Sequence, residues 1–206
     1  MKKNAKIVLL IVTLFITLII LAGCGIKGNS KTYDFYANIV SRDEYILRIE
    51  GDLEIETGKK ENGIVTIAEK AGNMFLATDC ESQKASIINK DETTYVLMDS
   101  EKLYVKTDRN REEEEANPFF DENEMEKIKE ADYTTGKEEI DGQEYDYEEY
   151  VTEDGGKIKY YFEGSNLKYV KETNDGEEVI MKILEASNQV DDSIFEVPAD
   201  YQEANY

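Results

Sequence analysis

The sequence contains no histidine, only two cysteines, and 24 Lys and Arg against 46 Asp and Glu over 206 residues. Each shortage removes a class of chemistry. Without histidine there is no Ser-His-Asp triad and no Cys-His pair, and neither a glycine-rich phosphate loop nor a C-x-x-C pair occurs. A glycosidase needs two positioned carboxylates, and among 46 acids no pair is singled out. The sequence therefore reads as non-enzymatic, with no catalytic residue, no metal ligand and no cofactor assigned. A formal net charge of −22 leaves no basic groove to neutralise phosphates, so nucleic acid is not an expected partner. Asp121 to Met125 has the start of a calcium loop, but Glu126 stands where glycine is required and no correctly spaced glutamate follows.

What is present begins with an export signal. Lys2, Lys3 and Lys6 precede an apolar run, Ile7 to Leu21, interrupted only by two threonines. Ala22 and Gly23 then supply small residues before Cys24. Fifteen helical residues would reach roughly 22 Å, short of the roughly 30 Å core that a permanent span must cross. Cleavage is favoured over spanning. Leu21-Ala22-Gly23-Cys24 resembles the bacterial lipobox, whose cysteine thiol receives a diacylglycerol before the preceding bond is cut. Cys24 is thus the expected lipidation site, first residue of the mature chain, held in the bilayer by acyl chains worth about 0.8 kcal/mol per buried methylene. The expected location is the extracytoplasmic face of the cell membrane.

Loss of residues 1–23 removes three lysines and no acid, leaving 21 basic against 46 acidic side chains and a formal charge of −25. Anionic headgroups and wall polymers would repel such a body. If Cys24 is acylated, Cys80 has no disulfide partner in the chain, and with neither histidine nor a basic cluster beside it the thiol reads as a small strand residue. Residues 24–31, small and polar after the cysteine, read as a flexible tether. The rest, 32–206, has the length of one domain able to bury a core.

Within that domain apolar residues alternate. In "EYILRIEGDLEIE" Tyr45, Leu47, Ile49, Leu53 and Ile55 are all odd-numbered, a period of two. Similar runs follow up to "EEVIMKILE", separated by turn sequences such as Asp141-Gly142, Gly164-Ser165-Asn166 and Asn174-Asp175-Gly176. The expected fold is mainly β: one antiparallel sheet of about ten or eleven strands with an apolar face covered by short helices. One short helix is expected within "KTYDFYANIVSRDE", with Tyr36, Ile39 and Val40 on one side. Another falls within an insertion at about 110–132, where Asp121 and Glu124 have capping-box spacing and Met125 and Ile128 share a face. Phe119 and Phe120 lead into it, and Glu112 to Glu115 before it form a solvated, self-repelling run. This second helix is either a fixed lid packed on the sheet or a mobile cover over a ligand. Phe119, Phe120, Met125 and Ile128 are its candidate ligand contacts. Tyr145, Tyr147, Tyr160, Phe162 and Tyr169 alternate along the later strands, as packing residues or as a pocket lining.

The C-terminal "YYFEGSNLKYVKETNDGEEVIMKILEASNQVDDSIFEVPADY" resembles the closing pattern of the LolA-like superfamily, which includes LppX-like proteins, and in particular its lipid-anchored Gram-positive branch. The matching positions are Asp191, Asp192, Phe195 and Pro198, with Tyr201 after them. The resemblance implies a strongly curved sheet, an incomplete barrel, whose hollow holds a lipid or lipoprotein acyl chain. It carries over no catalytic residue. The founding carriers are soluble shuttles, whereas an anchored Cys24 implies a local lipid or lipoprotein handler. The alternative is a non-catalytic surface sensor or protein-interaction module with a filled core, whose partner is an envelope protein.

Overall fold

The computed structural model describes residues 30–40, 42–54, 58–109, 122–152 and 155–204. The export signal, Cys24, the run 112–115, Phe119 and Phe120 lie outside the described residues. The strands are β1 Glu44–Glu54, β2 Lys60–Lys70, β3 Asn73–Cys80, β4 Lys84–Lys90, β5 Thr93–Met98, β6 Leu103–Asp108, β7 Thr134–Ile140, β8 Gln143–Val151, β9 Lys157–Glu163, β10 Asn166–Asn174, β11 Glu177–Ser187 and β12 Gln202–Glu203. Helix α1 is Lys31–Phe35, continued by a π-helical turn over Tyr36–Val40, and α2 is Glu122–Glu130. A 3-10 turn spans Asp192–Phe195.

The strands form one antiparallel sheet in the order β12-β6-β5-β4-β3-β2-β1-β11-β10-β9-β8-β7, with β12 joined to β6 in parallel. The order has two ends, so the sheet does not close into a barrel. Ten of the twelve strands coincide with the alternating runs of the sequence. The two others carry no such signal: β7, "TTGKEEI", holds one aliphatic residue, and β12 is two residues long. Pairing with β8 makes β7 a strand, and its charges suit an edge. Gly136 within it lies under the Tyr147 ring, where a Cβ would come within 2.5 Å of the hydroxyl. The β7–β8 turn has Asp141 at φ 53° and Gly142 at φ 79°, the two left-handed positions of a tight hairpin.

The chain divides into two compact units, 1–41 with 116–183 and 42–115 with 184–206. In the first, β9 alternation sends Ile158, Tyr160 and Phe162 to one face and Tyr161 to the other, all buried. Tyr160 meets Tyr150 and Tyr36 edge to face, at centroid separations of 5.7 and 6.0 Å. On the opposite face Tyr161 clusters with Tyr145 and Tyr169, against half-buried Ile140 and Tyr147. The tyrosines thus divide between two faces and pack against one another. Phe35, Val40 and Ile128 add the buried positions of the helical segments.

In the second unit, register again fixes the faces. On one, Ala68, Ile88 and Leu97 receive Val190 and Phe195, so the C-terminal segment supplies the cover. Asp191 accepts from the Ser193 N–H at 2.9 Å and caps the 3-10 turn that drives Phe195 inward. The Tyr201 hydroxyl donates to Asp99 at 2.5 Å. The positions matched in the C-terminal resemblance are architectural.

Candidate functional site

The other face of the second unit carries the candidate site. Directly paired residues in adjacent strands share a face, so the ladders place Leu47, Ile67, Leu76, Ile87, Val96 and Val105 in one row across β1 to β6. Every member is a branched aliphatic. Five strand spacings make the row roughly 24 Å long, more than the roughly 15 Å that one leaflet contributes to a bilayer core. Burial peaks at β2 and β3: Ile67 and Leu76 are 1% and 6% exposed, whereas Leu47 at one end and Ile87, Val96 and Val105 towards the other are half-buried. Met98 and Leu103, also paired and half-buried, widen the apolar patch beside Val96 and Val105. Among the described residues of this unit the 3-10 turn is the sole helical element, and it packs on the opposite face.

A row that is polar except at Met74 borders the aliphatic one. Tyr45, Glu69, Met74, Asn89, Thr94 and Thr107 are successive cross-strand partners. The Thr94 hydroxyl donates to the buried Asn89 side-chain oxygen at 2.8 Å. Burial, reinforced by the charge of Asp43, pushes the Glu69 carboxyl above its ordinary range, while Arg109 pulls the other way. The face is amphipathic in plan: a continuous apolar band edged by hydrogen-bonding groups. That arrangement supplies apolar area and a place for a polar end, which is what an acyl-bearing molecule needs.

No family model matches the sequence, and no curated protein matches it. Among solved structures the chain is similar to LprF from Mycobacterium bovis, with 8% identity, 85% of this chain and 100% of that chain covered, and a TM-score of 0.46. An uncharacterized conserved protein from Thermus thermophilus gives 7% identity, 85% and 99% coverage, and 0.46. A LolA superfamily protein from Nitrosomonas europaea gives 12%, 81% and 94%, and 0.32.

Of the contacts expected from sequence, Met125 and Ile128 lie in the first unit. Ile128 on α2 is 1% exposed, packed against protein, and Met125 one turn earlier is half-buried. Phe119 and Phe120 lie outside the described residues. The aliphatic row was not legible beforehand, because its members come from six strands and only the register aligns them. Its one local signal is the branched aliphatic at the middle of each run.

Other titratable groups are engaged structurally. The Cys80 thiol is buried, donates to the Gln83 carbonyl at 3.3 Å, and is pushed up by burial. No group of three or more acidic or cysteine side chains placed to hold a metal occurs among the described residues. Glu138 accepts from Lys159 at 2.6 Å, Tyr161 at 3.0 Å and Lys171 at 3.3 Å. The Lys159 bond is the main reason that its carboxyl sits below the ordinary range. A depressed folded-state value stabilises the fold above the unfolded-state value and loses that contribution as pH falls through the folded one. Glu138→Gln is expected to cost about 1 kcal/mol at pH 7. Urea midpoints of variant and parent should converge on acidification below the ordinary glutamate range; a difference that persists there would contradict this account.

Proposed function

We propose that the chain is an exported, non-catalytic lipoprotein, anchored through acylated Cys24 at the extracytoplasmic face of the cell membrane, that binds a lipid or lipoprotein acyl chain. The observation that supports this most is the aliphatic row from Leu47 to Val105, half-buried at its β4–β6 end. The acyl chain lies across the strands and exchanges contact with water for contact with branched side chains. On the first unit, Met125 with Phe119 and Phe120 is a separate candidate contact, proposed from the sequence alone. Ile128 is already packed, so it serves as a core residue of its own unit. The lipobox and the apolar band act in one direction: the anchor holds the body where its ligand is concentrated.

Native mass spectrometry of the mature protein extracted from membranes tests this reading, with co-purifying lipid as the expected result. The double variant Val96→Thr/Val105→Thr keeps β-branched shape while placing two hydroxyls on the band. At about 1 kcal/mol or more for each hydroxyl buried against hydrocarbon, lipid occupancy should fall about tenfold or more with the melting temperature little changed. Parent protein free of lipid would overturn the proposal. A second reading, a surface sensor or interaction module, draws on the first unit, where Tyr150, Tyr160, Tyr161 and Phe162 are all buried and fill the interior. It predicts an envelope protein captured by crosslinking in living cells and no bound lipid.

A further inference from the structure

Glu148 lies in the middle of β8, is 4% exposed, and faces Ser30 to Thr32 at the start of α1. One carboxylate oxygen accepts from the Lys31 N–H at 2.8 Å. The other accepts from the Thr32 N–H at 2.9 Å and from the hydroxyls of Ser30, Thr32 and Tyr150 at 2.9, 2.7 and 3.2 Å. Five donors therefore converge on one buried acceptor. Ser30 also lies 2.5 Å from the Tyr150 hydroxyl and accepts from the Tyr33 N–H at 3.0 Å, capping the helix. Lys31 reaches outward to Asp146 at 3.4 Å and lies 5.7 Å from the centre of the Phe162 ring. Ser30 and Lys31 have the composition of a tether, yet Ser30 is 3% exposed and belongs to the folded body.

A buried carboxylate needs hydrogen bonds to offset its desolvation, and here most of them come from the first three described residues of the chain. Those residues are also the first described ones after Cys24. Ser30 follows Cys24 by six residues, and six residues span at most about 22 Å when fully extended. If the segment 30–40 were released, the next strand would begin at Glu44, and twenty residues span up to about 70 Å.

We infer that Glu148 is a tether clamp: by holding Ser30 to Thr32 it keeps the start of α1, and with it the first unit, within about 22 Å of the bilayer in which Cys24 is anchored. This rests on the anchor reading above and goes beyond it, because a lipid anchor alone sets attachment and not height. Glu148 acts here as a positioning residue.

The full mature chain, reconstituted into a supported phosphatidylcholine bilayer, supports two readouts: neutron reflectometry for the gap between bilayer and protein layer, and hydrogen exchange for amides 31–35. In E148Q those amides should exchange at least a hundredfold faster while amides of β9 and β10 stay protected, and the gap should widen. Ser30→Ala/Thr32→Val removes two hydroxyl donors and keeps the carboxylate, so it should shift both readouts the same way, to a lesser extent, even if E148Q folds poorly. Insertion of six Gly and Ser residues between Gly28 and Asn29 should widen the gap with no change in exchange. Unchanged exchange and gap in both clamp variants would overturn the inference. Parent protein that washes off the bilayer would instead refute the anchor reading, and with it the proposed height, while exchange would still report the contact.

Discussion

Phe195→Ala is expected to lower the unfolding free energy by about 3–5 kcal/mol, the range for deleting a buried aromatic ring. Phe195 is 3% exposed among Ala68, Ile88, Leu97 and Val190, with Phe75, Tyr95 and Tyr104 against the same cluster. The segment that carries it is also tied down by charge. Lys70 pairs with Asp192 at 2.8 Å, Lys90 with Glu196, Lys102 with Asp200, and Lys106 with Glu203 at 2.9 Å. These pairs are numerous but substantially exposed, and such pairs contribute about 0–1 kcal/mol each. The ring should therefore outweigh any one of them. Denaturant titration of Phe195→Ala, Lys90→Met and Lys102→Met decides the order. If either lysine variant costs as much as the alanine variant, the C-terminal segment is held by electrostatics and not by its aromatic plug. Phe195→Leu should recover part of the loss, since it restores most of the apolar volume.

The second large effect concerns location. Cys24→Ala removes the thiol that would accept diacylglycerol. The expected result is a precursor that stays uncleaved, or a domain released from the membrane fraction. The effect should be nearly complete because apolar transfer is the attachment force, about 0.8 kcal/mol for each buried methylene, and a body of formal charge −25 gains nothing from anionic lipid. Cell fractionation with metabolic labelling by a fatty acid reads both steps. Variant protein that remains processed and membrane-bound like the parent would refute the anchor.

Parts of the fold were readable directly. The odd-numbered apolar residues of β1 foretold a strand with one buried face, and Tyr45, Ile49 and Leu53 are buried as alternation requires. The helix in the insertion appears at Glu122–Glu130 with Ile128 inward. β7 was not readable because an edge strand needs few apolar side chains, so its identity comes from the partner that it pairs with. In α1 and its π-helical turn, Tyr36 and Ile39 are half-buried, and Thr32, Phe35 and Val40 take the buried positions.

Glu148 and Glu149 are consecutive and chemically identical in "EYDYEEYV", yet alternation sends them to opposite faces. Glu149 meets Lys157 at 3.0 Å and Lys159 at 3.7 Å. Glu148 receives the start of α1, from a point more than a hundred residues earlier in the chain. The sequence by itself determined ten of the strands, the acidity and the resemblance to a lipobox, because alternation, charge and a short motif are local properties. Only the tertiary structure decided which glutamate becomes a buried clamp, which six aliphatics line up as one band, and which apolar face receives the C-terminal cover. Each of these depends on register or on contacts between distant segments, and neither is written in the order of neighbouring residues.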